Sequence, residues 1–143
     1  MYFDELTVGL AQELAPVEVE EEEMLRFSRR YDNVPLHTDP EYAAGTPFGH
    51  VIAAGFQSFL LVWAEYLKSD FFGEALLAGK SQHLEWFRPV AAGDILTGRA
   101  RITALTPRNA RNGIAQLTID VYNQDHVLVL TGITESIVKR REA

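Results

Sequence analysis

The segment VIAAGFQSFLLVWAEYLKS, residues 51–69, is apolar around most of its circumference until Glu65. A helix of that kind has no polar face to give to water, so other parts of the chain must enclose it on several sides. Its longest apolar part, Val51 to Trp63, is interrupted by Gln57 and Ser58 and falls short of the roughly 20 residues that a membrane span needs. It reads as a core helix starting near His50 or Val51, and the rest of the chain has to supply its walls.

Those walls are written in the second half. SQHLEWFRPV from Ser81, DILTGRARITAL, GIAQLTIDVYN and HVLVLTGITESIVK are strand-like runs separated by the turn signals AAGD, TPRNARNG and NQD. In the third run Ala115, Leu117, Ile119 and Val121 alternate with Gln116, Thr118 and Asp120, which gives one buried and one wetter face. Short connections between successive strands imply antiparallel pairing. With an early strand around Ala11 to Val19, the expected fold is α+β: about five strands in a curved antiparallel sheet wrapped around one long central helix. No internal repeat or linker divides the chain, so residues 1–143 are expected to form a single domain.

Composition narrows the function classes. A formal charge of −7, with no stripe of Lys or Arg interleaved with aromatics, argues against nucleic-acid binding. The absence of cysteine removes disulfides, Cys-based zinc sites and thiol nucleophiles. The N-terminal MYFDELTVGL has Asp4 and Glu5 where a secretory signal needs basic residues before an apolar run, so a cytoplasmic protein that does not enter membranes is expected.

The first half carries shorter helical patterns. In EEEMLRFSRRY, Met24, Phe27, Ser28 and Tyr31 share a face; the acidic run Glu20 to Glu23 suits the positive end of the helix dipole and the arginines its negative end. In TDPEYAA, Asp39 fits an N-cap and Pro40 the first turn of a short helix. Between these lie Asp32 and His37, five positions apart in a loop punctuated by Pro35. An extended run of five residues spans roughly 17 Å, so only a turn at Pro35 can bring the two side chains together.

This order of elements, with FSRRYDNVPLHTDPEYAAGTPFGHVIAAGF over residues 27–56, resembles the MaoC-like dehydratase family, whose known members include (R)-specific enoyl-CoA hydratases of the hot-dog fold. The family spacing falls on Asp32, Pro35, His37, Asp39 and Gly55, and WFRPVAAGDILTGRARI is similar to the family's later strand segment. The resemblance covers nearly the whole chain. It implies hydration or dehydration of an acyl thioester of coenzyme A or acyl carrier protein, interconverting trans-2-enoyl and (R)-3-hydroxyacyl forms in a homodimer, with no metal or redox cofactor.

Hydration of an enoyl thioester needs a base for the attacking water, an acid for the α-carbon and donors for the enolate oxygen. The resemblance implies that Asp32 and His37 share the water, and the sequence leaves open which is base and which acid. Gly55, near the start of the central helix, is the candidate to present its backbone N–H to the thioester oxygen.

Two alternatives stand beside this. Hot-dog thioesterases share the fold, but their acidic residue usually lies on the central helix, whereas Asp32 and His37 precede it. An inactive thioester-binding subunit is the other, favoured by Val34 at a position where catalytic relatives usually carry Asn or Gln. Asp39 and His37 lack a third partner for a metal site, and Ser58 lacks the G-x-S-x-G setting of a hydrolase nucleophile. Phe48, Phe56 and Trp63 read as core aromatics, Arg88, Arg108 and Arg111 as solvated turn residues, and His50, His83 and His126 as capping, loop or surface positions.

Overall fold

The computed structural model describes residues 1–141. Its element order is β1 (Ala11–Glu13), β2 (Val17–Glu18), α1 (Glu21–Tyr31), α2 (Pro35–Thr38), α3 (Pro40–Ala44), α4 (Gly55–Lys68), β3 (Leu76–Trp86), β4 (Ile95–Pro107), β5 (Asn112–Tyr122) and β6 (Leu128–Lys139). The sheet is antiparallel in the order β1-β4-β5-β6-β3, and β2 pairs with β4 off the end of that path. The early strand expected over Ala11 to Val19 is thus two short pieces on the same neighbour. Pro16 lies in the break between them and has no N–H for a ladder.

The alternation on β5 holds at its apolar positions, while Thr118 of the expected wetter face is buried as well, its hydroxyl 3.0 Å from that of Thr103. Ala115, Leu117, Ile119 and Val121 are all fully buried, joined by Leu96, Ala100 and Ile102 of β4 and Leu130 of β6. Phe59, Val62 and Tyr66 of α4 meet this face. The approach is close: a Cβ built on Gly98 would stand 2.4 Å from Val62 Cγ1, and one on Gly132 would stand 2.7 Å from Phe59 Cε1. Two strand glycines are therefore the seats for two helix side chains.

α4 begins at Gly55, several residues after the expected start. Val51 to Ala54 are instead an extended bridge. The Ile52 N–H donates to the Leu36 carbonyl at 3.5 Å and the Ala53 N–H to the Val90 carbonyl at 2.7 Å, so backbone groups that a longer helix would use are tied elsewhere. The enclosure of α4 is also one-sided. Phe56, Leu60 and Leu67 are exposed along it, and almost every residue of the edge strand β3 is exposed as well. β3 starts five residues before the expected Ser81, and the bulges between Leu76 and Ala78 and between Gly79 and Ser81 explain why its first half shows no regular alternation.

The shorter helices follow their sequence signals. α1 has Glu21, Glu22 and Glu23 in its first turn and Arg29 and Arg30 in its last. Its buried strip narrows to Met24 and Ser28, while Tyr31 is exposed, its ring 5.2 Å from that of Phe27. Asp39 caps α3, its Oδ1 accepting from the N–H groups of Glu41 at 3.0 Å and Tyr42 at 3.3 Å. Near the two ends of the described chain, Arg140 pairs with Asp4 and Arg141 with Glu5. No helix of the described residues is long and apolar enough to cross a membrane.

Candidate active site

Asp32 closes α1: its N–H donates to the Ser28 carbonyl at 3.0 Å, and its own carbonyl accepts from the Val34 N–H at 2.9 Å. Pro35 then opens a single helical turn, α2, for which its fixed φ and missing N–H are suited. The His37 N–H returns to the Val34 carbonyl at 2.9 Å. The chain doubles back over five residues, and His37 Nε2 comes to 3.7 Å from Asp32 Oδ2. That is too long for a direct hydrogen bond and leaves both atoms available to a shared water.

The other imidazole nitrogen fixes the arrangement. His37 Nδ1 lies 2.8 Å from the carbonyl oxygen of Ile52, and a carbonyl only accepts, so Nδ1 carries the proton in that bond. In the neutral ring Nε2 then bears the lone pair, directed to the side where Asp32 stands. The His37 side chain is 12% exposed and that of Asp32 32%, so the histidine is the more enclosed of the two.

Val34 acts through its backbone. Its carbonyl accepts from the His37 N–H and from Thr38 Oγ1 at 3.1 Å, while the residue is 44% exposed and forms no part of the cavity wall. The turn between Asp32 and His37 is thus held without a side-chain amide at position 34.

Gly55 is the first residue of α4. The N-cap before it is Ala54, which has no side-chain acceptor, and the first bond back into the helix is from the Ser58 N–H to the Ala54 carbonyl at 3.1 Å. The N–H groups of Gly55, Phe56 and Gln57 meet no acceptor among the described residues. An uncapped start of a helix of this length leaves partial positive charge.

Asp32, His37 and Gly55 all line one cavity of about 430 Å³. The rest of its wall is mostly apolar: Phe48, Ile52, Phe56 and Ser58, then Trp86, Phe87, Arg88 and Val90 from the end of β3 and beyond. A few convergent polar groups in an apolar cleft of this size are what a small-molecule site requires. Phe48, Phe56 and Arg88 belong to this wall and not to the default positions read for them, whereas Trp63, Arg108 and Arg111 lie outside it. The sequence reading missed Trp86 and Phe87. Their signal was WFRPV, where two large aromatics stand at the end of a strand shortly before a proline, Pro89.

Comparison with known proteins matches residues 6–123 to the family described as MaoC like domain. The chain belongs to the MaoC-like domain family. YdeM of Bacillus subtilis, an uncharacterised protein, is 27% identical over 98% of this chain and 100% of its own length. The (R)-specific enoyl-CoA hydratase of Aeromonas caviae is 36% identical over 73% of each chain. Among solved structures, the MaoC-like dehydratase from Rhodospirillum rubrum superposes with a TM-score of 0.90 at 25% identity, covering 100% of this chain and 99% of that one. The fold is accordingly the α+β hot-dog fold.

Proposed function

We propose that this MaoC-like protein interconverts trans-2-enoyl and (R)-3-hydroxyacyl thioesters of coenzyme A or acyl carrier protein, with Asp32 and His37 as the acid–base pair and the Gly55 N–H as oxyanion donor. One observation carries the reading: the pair separated by 3.7 Å and the uncapped start of α4 face the same cavity.

In hydration, the Nε2 lone pair of His37 takes a proton from water as the water oxygen bonds to the β-carbon. The double-bond electrons move toward the thioester carbonyl, whose oxygen meets the Gly55 N–H. The proton taken by His37 passes by way of the Asp32 carboxylate to the α-carbon, which leaves both groups as they began. One water is added overall, and dehydration is the same path reversed. The Nδ1 bond to Ile52 supports His37 as the base, because it leaves the Nε2 lone pair of the neutral ring for the water.

Thioester hydrolysis has less support. The only carboxylate on α4, Glu65, is ion-paired to Lys68 at 2.8 Å and is not in the cavity wall. The inactive-subunit reading drew on Val34, whose side chain stands away from the cavity.

We further propose that the chain acts as one catalytic unit and that a second copy covers the exposed edge of β3 and the apolar stripe Phe56, Leu60 and Leu67 of α4. An uncovered edge strand beside exposed apolar side chains is the surface an isologous dimer would bury.

The deciding experiment is hydration of crotonyl-CoA and longer enoyl thioesters by the purified protein, followed as loss of the enoyl-thioester absorbance. Wild-type turnover that Asp32→Asn and His37→Gln both abolish supports the mechanism. Turnover indifferent to both would sink it, and thioester binding without turnover would favour a binding module.

A further inference from the structure

Gly55 has ordinary helical backbone, so its lack of a side chain is a matter of space and not of φ. The space belongs to Trp86. A Cβ built on Gly55 would stand 2.4 Å from Trp86 Cε2, 2.6 Å from Nε1 and 2.8 Å from Cζ2. Cε2 is the nearest of the three although it lies between the other two, so the indole at the end of β3 lies face-on over the first residue of α4, with Nε1 on the part of the ring beside Gly55.

The indole Nε1–H meets no acceptor among the described residues, although Trp86 lines the same cavity as Asp32 and His37. Phe56 holds the ring from the side in an edge-on contact, centroids 5.8 Å apart and planes at 74°. The wall's one guanidinium, Arg88, turns to the Phe87 carbonyl at 3.0 Å. Two N–H donors from separate elements, the Gly55 amide and the Trp86 indole, are therefore side by side and unspent in a mostly apolar cavity. A single oxygen that gains negative charge during reaction is the acceptor that such a pair suits.

We propose that the Trp86 indole N–H donates, together with the Gly55 N–H, to the thioester carbonyl oxygen of the substrate. This rests on the thioester reading above. The strand-borne indole is the second half of the oxyanion site, and its seat against Gly55 makes the glycine necessary twice: as a donor, and as the gap that lets the indole in.

The chain has two tryptophans, Trp63 and Trp86, so its amide–proton correlation spectrum holds two indole signals, which Trp63→Phe assigns. The probe is butyryl-CoA, which carries the carbonyl and has no double bond to hydrate, compared with coenzyme A alone. The expected result is a downfield move of the Trp86 indole proton with butyryl-CoA and a smaller one with coenzyme A. Trp86→Phe, which keeps an aromatic ring and loses the donor, is expected to lower kcat by about tenfold or more with KM changed less than about threefold.

An indole signal that stays put at saturating butyryl-CoA overturns the proposal, as does a Trp86→Phe variant with unchanged kcat. The spectrum decides the matter even where that variant fails to fold. Should the wild type bind butyryl-CoA without hydrating crotonyl-CoA, the hydratase reading falls, and a downfield indole shift would still establish the contact.

Discussion

The imidazole of His37 is held by Ile52: Nδ1 donates to that residue's carbonyl oxygen at 2.8 Å, across fifteen positions of sequence. The extended bridge before α4 thereby sets the tautomer of a side chain on α2, and it can do so only because the helix does not begin until Gly55. His37→Asn places an amide nitrogen where Nδ1 stands and leaves nothing at Nε2, whereas His37→Gln reaches toward the Nε2 position without a basic nitrogen. Both variants are expected to fold, and both to lose about 10²- to 10⁴-fold in kcat for hydration. Steady-state kinetics beside circular dichroism checks this, and a His37→Asn enzyme of near-normal rate would remove His37 as the base.

Gly55→Ala brings a methyl group to within 2.4 Å of the indole. Trp86 is 44% exposed in the single chain, so the ring is displaced from the helix start toward the face where the proposed second copy sits and not into the core. The expected result is a changed Trp86 emission in a Trp63→Phe background and a large fall in kcat/KM. A fully active Gly55→Ala enzyme would mean that neither the close approach nor the indole's seat matters to the chemistry.

Asp39 tests the division between shaping and chemistry in the same loop. Its Oδ1 caps α3 through Glu41 and Tyr42, and it lies outside the cavity wall. Asp39→Ala should cost about 1 kcal/mol of stability and leave kcat within about threefold of wild type. Chemical denaturation paired with the crotonyl-CoA assay separates the two effects.

Acid sensitivity is expected at the clasp between the chain's ends. The Arg141 guanidinium, followed by the Tyr2 backbone N–H, holds the Glu5 carboxyl below the ordinary glutamate range. A carboxyl whose pKa is lower folded than unfolded contributes its stability above the unfolded value, about 4.3, and loses it as pH falls through the folded one. Glu5→Gln should therefore flatten the fall of melting temperature below about pH 4.3 while changing the neutral-pH slope little. An unaltered acid limb would show that the clasp is not what titrates there.

The proposed second copy predicts a solution mass of two chains, measured by light scattering. Leu60→Lys puts a charge in the middle of the exposed stripe of α4 and should shift the population toward one chain at equal concentration. A wild-type protein with the mass of one chain would leave the β3 edge without its proposed cover.

Local chemistry made much of this readable from residues alone. Alternation over residues 115–121 depends on a strand's period of two, the Asp39 cap on a side chain and amides two and three residues away, and the charge gradient of α1 on its own dipole. Asp32 and His37 were candidates because their spacing around Pro35 resembles a family. What no local rule contains is which distant groups a backbone will bond. The start of α4 moved to Gly55 because Ile52 and Ala53 bond to Leu36 and Val90, partners that exist only once α2 and the β3–β4 connection have packed beside them. Trp86 looked like one more strand aromatic, thirty-one positions from Gly55. Its indole stands against that glycine because the edge strand ends over the start of the central helix, and only the folded sheet brings those two ends together.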